Sequence, residues 1–159
     1  VRYQSKKNKM ALTANFENII FNEHLGDNEN DLVTFGGMTF VGDQSKLANF
    51  TIEGTPVGNG YLLLYLWSVQ DLHHKIELNS INISNATEFP HQLGSEKNAI
   101  WIIPIDENVL KKGNNTLQIK RSGNDNFHIY SAIVNWKEEV NLTNSNRPGF
   151  FGRLFSSGG

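Results

Sequence analysis

The chain has 159 residues, a net charge of −2, 19% charged and 11% aromatic residues, and no cysteine. That length supports one domain with a real core and is short for two. The aromatic content and moderate charge exclude a disordered chain, the weakly acidic balance argues against a general nucleic-acid binder, and the lack of cysteine removes disulfides and thiolate metal sites.

Residues 1–9 carry Arg2, Lys6, Lys7 and Lys9, but no apolar segment follows them, so they do not read as a signal peptide. Residues 1–12 are expected to be an N-terminal arm, 13–140 a single folded domain and 141–159 a C-terminal tail. Residues 14–21 predict a first strand with Phe16, Ile19 and Phe21 inward, and 22–31 a polar, acidic loop. Two short apolar runs, 32–35 and 38–41, flank Gly36-Gly37, which is a hairpin signal. After a turn over 42–46, residues 47–53 alternate around Phe50 and Ile52, and the glycines and Pro56 of 54–60 predict a loop.

Residues 61–70 are the strongest strand signal. Tyr61, Leu63, Tyr65, Trp67 and Val69 share one face and Leu62, Leu64 and Leu66 the other, so both faces are expected to be covered. The longest apolar run, 61–67, has the length of a strand and not of a membrane span. Residues 74–83 predict two short strands around an Asn79-Ser80 bend, and 84–98 a long polar loop containing Phe89 and His91. Ile100, Trp101, Ile102, Ile103 and Ile105 predict a further strand covered on both faces, with Pro104 near its end or on an edge. Asp106 is placed to cap one helical turn over 107–112 with Leu110 inward, and Gly113 to stop it in the left-handed region. Leu117 and Ile119 then alternate inward through 116–121. A turn over 122–126 precedes a last long strand, 127–136, with Phe127, Ile129, Ser131 and Ile133 on one face and His128, Tyr130, Ala132, Val134 and Trp136 on the other.

Short strands at regular spacing with no helical period predict an all-β fold, an antiparallel β-sandwich of roughly eight to ten strands. The tail differs in texture: beyond Pro148 it holds Phe150, Phe151, Leu154 and Phe155, which need a surface to cover them.

Three segments carry a resemblance to a known fold family: H-H-K-I-E-L-N-S-I-N-I at 73–83, I-P-I-D-E-N-V-L-K-K-G-N-N-T-L-Q-I at 103–119, and D-N-F-H-I-Y-S-A-I-V-N-W at 125–136. They resemble the galactose-binding-like jelly roll used by carbohydrate-binding modules and by the non-catalytic sugar-binding domains of β-galactosidases and β-glucuronidases. The second segment is the most specific, and Ser80 stands where the family usually has glycine. The resemblance implies a jelly-roll sandwich with a sugar site on rim loops or a sheet face. It also implies that a structural calcium ion near the first strands is the one cofactor to look for.

A sugar ring lays its C–H face on an aromatic ring and needs directional partners for its hydroxyls. Trp67, Trp101, Tyr130 and Trp136 are candidates for stacking, each weighed against core packing. Asp71, His73, His91, Asn124 and Asp125 are candidates for polar contacts, and Phe89, in a polar loop, for an exposed ring. His73 and His74 are adjacent, and strand alternation would part them, which disfavours a shared transition metal. Asp27, Glu29 and Asp31 form an oxygen-rich loop suited to calcium but without the glycine and final glutamate of an EF-hand. No nucleophile motif or phosphate loop is present, and no carboxylate stands in an apolar run that would raise its pKa. The expected function is therefore a non-catalytic binding module, carbohydrate being the expected ligand. The rival is an assembly subunit, lectin-like binding giving way to self-association through 1–12 and 145–159.

Overall fold

A computed structural model describes residues 10–32, 37–71, 73–84 and 95–141. The fold is all-β. The strands are β1 (Met10–Leu25), β2 (Thr39–Gly42), β3 (Ala48–Ile52), β4 (Thr55–Pro56), β5 (Gly60–Trp67), β6 (Lys75–Leu78), β7 (Ile81–Asn82), β8 (Asn98–Ile105), β9 (Gly113–Lys120) and β10 (Phe127–Asn141). Among the described residues they form two sheets. The larger has the order β2-β1-β10-β5-β8, with β4 also on β10, and the smaller the order β3-β9-β6-β7. Pairing is antiparallel except between β2 and β1, which run parallel.

The sheets face each other across one core. Leu62, Leu64 and Leu66 of β5, Trp101, Ile103 and Ile105 of β8, and Ala132, Val134 and Trp136 of β10 come from the larger sheet. Phe50 and Ile52 of β3, Ile76 and Leu78 of β6, and Leu117 and Ile119 of β9 meet them from the smaller one. The alternation of these residues is what half-buried strands require, so the antiparallel β-sandwich expected from the sequence is the fold observed.

Several local expectations change. The run in β8 is covered on one face only: Trp101, Ile103 and Ile105 are buried, while Ile100 and Ile102 are each 58% exposed. Among the described residues β8 is an edge strand, and Pro104, lacking an N–H, stands one residue from its end, as expected. β5 is likewise single-faced along most of its length, with Leu62, Leu64 and Leu66 inward and Tyr61, Leu63 and Tyr65 outward. Residues 107–110 form a turn rather than a helix. Val109 N–H donates to Asp106 O, and Asn108 takes a φ of 72° that a helix would not allow. Leu110 is still buried and Gly113 still left-handed, with a φ of 89°.

The facing of β10 switches part-way. Ile129 pairs with Leu66 but Ser131 pairs with Tyr65, so Tyr130 is the extra residue of a bulge. Before the bulge Phe127 and Ile129 point inward; after it Ala132, Val134 and Trp136 do. A strict alternation through 127–136 therefore misassigns one half of the strand. β1 shows the complementary irregularity between Ile20 and Glu23, where Asn22 has a φ of 52°.

β1 is longer at both ends than the sequence predicts. Met10 to Leu12, expected in the arm, continue the ladder opposite Glu139 to Asn141. Glu23, His24 and Leu25, expected in a loop, are buried. Thr55 and Pro56, also expected in a loop, pair briefly with β10. The expected hairpin around Gly36-Gly37 falls largely outside the described residues; the partner observed for β2 is β1.

Candidate functional site

Three regions hold polar or aromatic side chains worth testing as a site. The first is the loop rim that contains most of the sequence candidates. Asp125 is buried, and its Oδ2 accepts the N–H groups of Gln70 (2.9 Å) and Asp71 (2.8 Å) and lies 2.9 Å from His74 Nε2. Ser122 N–H donates to His74 Nδ1. A nitrogen that accepts a hydrogen bond carries no proton, so the proton is on Nε2 and His74 donates it to Asp125. Burial alone would raise the Asp125 pKa, but the hydrogen bonds from His74, Asp71 and Gln70 outweigh it and the net shift is downward. Asp71 Oδ1 in turn accepts His73 N–H and sits 2.6 Å from its Nδ1.

The same rim explains the acidic loop. The Arg121 guanidinium, itself almost fully buried, bonds Asp43 through Nε and Nη2 and Asp27 through Nη2, and also donates to Asp125 O. Asp27 is thus answered by a cation. Among the described residues no three His, Cys, Asp or Glu side chains gather in one place, Asp27, Glu29 and Asp31 included. The structure brings Asp71, His73 and Asp125 together, but as a lock between loops in which much of their hydrogen-bonding capacity is spent. Asn124 lies exposed beside them, and Phe89 and His91 lie outside the described residues.

The second region is a row of rings across the larger sheet. Trp67 stacks on His128 at 5.1 Å, His128 meets His24 edge-on at 5.2 Å, and His24 meets Phe40 at the same distance. Both histidines are fully buried. Burial lowers both pKa values; for His128, helped by the neighbouring His24, the value falls to about 4. Trp67, Trp101 and Trp136 are all buried, which removes them as stacking surfaces. Sequence pattern also missed two buried carboxylates, Glu138 and Glu23; burial raises the pKa of Glu23, against the pull of the Lys46 N–H, and its position in β1 explains the miss. Its strand had been assigned to a loop, so no apolar context was visible.

Of the third region the sequence singled out Tyr130 alone. This region is the outer face of the larger sheet, turned away from the smaller one. Tyr61 and Tyr65 are 46% and 40% exposed, and Ile20, Ile100 and Ile102 are exposed beside them. By register, Ile20, Ser131, Tyr65 and Ile100 form one row, and Phe16, Asn135, Tyr61 and Pro104 another. The Tyr130 bulge lays its ring on Tyr65 at 4.7 Å and 27°, and Tyr65 Oη donates to Asn98 Oδ1. A signal for this face exists in the sequence: Leu62, Leu64 and Leu66 stand opposite Tyr61 and Tyr65, and tyrosine is the residue that tolerates water at one end.

A family profile matches residues 13–138. The chain belongs to the family of unknown function DUF7383. The family's span takes in both sheets, including the rim lock, the ring row and most of the open face. No curated protein matches the chain. Among solved structures it is similar to BuGH86, solved in complex with neoagarooctaose, at 16% identity and a TM-score of 0.51. It is also similar to BpGH86A, a β-porphyranase of glycoside hydrolase family 86 from the human gut bacterium Bacteroides plebeius, at 14% identity and a TM-score of 0.43. The match to BuGH86 covers 84% of this chain and 20% of that one, so the family member spans about a fifth of its structural neighbour. At that identity the likeness shows a shared fold and nothing finer.

Proposed function

We propose that the chain is a non-catalytic carbohydrate-binding module on a galactose-binding-like jelly roll, and that the open face of the larger sheet is where the glycan lies. The observation that carries the reading is the pair of exposed tyrosine rings on β5, Tyr61 and Tyr65, about 14 Å apart along one strand. Tyr130 backs the second ring. Sugar C–H faces pack on such rings, and Asn18, Ser131, Asn135 and Asn98 supply amides and a hydroxyl for sugar hydroxyls.

Charge narrows the ligand. Across the rows from Asn98 to Pro104 of β8, the outward residues of β1, β10, β5 and β8 among those described include no Asp, Glu, Lys or Arg. A sulfated or uronic glycan would call for cations there, so a neutral glycan fits better. The same lack of carboxylates supports a non-catalytic role, since glycoside hydrolysis needs two of them facing one cleft. The buried carboxylates are otherwise engaged: Glu138 accepts from Asn15, Gly54 and Trp136, and Glu23 from Lys46. Part of an agar-oligosaccharide-bound hydrolase shares the fold, which makes neoagarooctaose a rational first probe.

Calorimetric titration with neoagarooctaose and a panel of other neutral oligosaccharides tests the reading. Binding is expected with at least one, weakened roughly three- to tenfold by Tyr65→Ala or Tyr61→Ala. Silence across the panel, or binding indifferent to both substitutions, rejects it.

A further inference from the structure

We propose that β1 pairs edge to edge with β1 of a second copy of this chain, joining two larger sheets into one. β1 is bonded to β10 along its whole length, but on its other side β2 pairs only with Glu23, His24 and Leu25. From Met10 to Asn22 no strand among the described residues pairs with that side, leaving an unpaired edge about 40 Å long. Three contacts show which backbone groups face it. Phe16 N–H turns to the Asn15 side chain, Ala14 O takes a long bond from Thr13 Oγ1, and Ile20 O takes Lys46 Nζ at 2.6 Å. All belong to even-numbered residues, so by alternation the N–H and C=O groups of Leu12, Ala14 and Asn18 also point outward.

Soluble sheets blunt such an edge with charge, proline, a bulge or shortness. Residues 10–22 contain one charge, Glu17, and neither proline nor glycine, and the Lys46 ammonium blunts the edge only at its Ile20 end. Apart from Asn18 the outward stripe of this edge is apolar, with Leu12 62% and Ile20 50% exposed. An identical strand is the occupant that this pattern fits. Antiparallel pairing about a two-fold axis matches donors to acceptors on both sides and buries the same stripe reciprocally. Leu12, Ala14 and Asn18 of each copy supply on the order of six hydrogen bonds, at the lower end of an ordinary specific interface. The axis of such a pair is normal to the sheet, so both open faces lie on one side. Resting on the glycan reading, the pair would then present Tyr61 and Tyr65 twice on one surface and bind a long polymer bivalently; the pairing itself does not depend on that reading.

Light scattering on the full chain over a concentration series is expected to show a monomer passing to a dimer. In the dimer, hydrogen exchange should protect the amides of Leu12, Ala14 and Asn18, with protection lost on dilution. Ala14→Pro, which removes one edge N–H, should weaken the dimer at least about tenfold. The double substitution Leu12→Lys with Ile20→Lys, at exposed positions, should do the same should the proline variant fail to fold. A monomer at every concentration, or a dimer without protection at those three amides, overturns the pairing. A dimer with the protection but no avidity for a polymeric glycan leaves the pairing standing and removes the doubled platform.

Discussion

The side-chain amide of Asn79 donates to Asn115 Oδ1 at 2.8 Å, tying the β6–β7 turn to the start of β9. Asn115 is fully buried, and its own amide donates to Lys111 O and Gly113 O while its oxygen also accepts Lys111 N–H. Asn79 reaches Val109 O and takes Thr116 N–H. These are residues of the two most recognisable sequence segments, and their role is to hold the turns that close the small sheet. Asn115→Ala would strand several buried donors and acceptors. A loss of about 2–4 kcal/mol in urea unfolding is expected, since each orphaned group costs about 1–3 kcal/mol and some will find water. Glycan affinity of the folded fraction should not change.

His74 and Asp125 make the second internal tie, with both side chains 2% exposed. Asp125 attracted notice as a ligand-binding residue, yet its Oδ2 is occupied by three donors. Asp125→Ala is expected to lower stability by about 3–5 kcal/mol, because it leaves His74 and two backbone N–H groups unanswered. Thermal unfolding checks this.

The His24–His128 pair predicts a sensitivity to acid. Both histidines have folded pKa values below the unfolded value of 6.5, that of His128 near 4. The unfolded chain therefore binds more protons in between. Stability should be full above about pH 6.5, fall as pH drops toward 4, and level off below, with His128 alone contributing about 3 kcal/mol. The groups acting on His24 are Asp31, which resists the shift, and Arg121, which adds to it. Glu23 works in the opposite sense, since its folded pKa is raised above 4.5 and its contribution favours the fold at low pH. Melting temperatures between about pH 7 and about pH 5 should drop for the native chain and less for His128→Phe, which keeps a ring against Trp67.

Ser80 occupies a left-handed position, with a φ of 66° following 53° at Asn79. Two consecutive positive values are those of a type I′ hairpin turn, which favours Asn-Gly. Ser80→Gly should stabilise the chain by about 1 kcal/mol by relieving the left-handed strain, less the entropy a glycine adds to the unfolded state. A rise in melting temperature checks this, and a fall would show that the serine hydroxyl holds something the backbone angle does not explain.

What could be read before folding was whatever depends on neighbours in the chain. Period-two alternation places Phe50 and Ile52, Ile76 and Leu78, and Leu117 and Ile119 inward, and it marks the Asn79-Ser80 turn and the left-handed Gly113. Those features set an all-β sandwich, because a strand with one apolar face must bury it against another sheet. Which face of β8 meets the core could not be read, since Ile100 and Ile102 are as apolar as Ile103 and Ile105, and on β5 only the tyrosines hinted at the open side; the choice came when the small sheet covered the other face. The inward phase of β10 depended on the Tyr130 bulge, and the fate of Asp27 on Arg121, ninety-four residues away. Local chemistry decides what a segment can be, whereas burial and pairing are decided by residues brought together from distant parts of the chain. For that reason the open tyrosine face and the bare edge of β1 became visible only in the folded molecule.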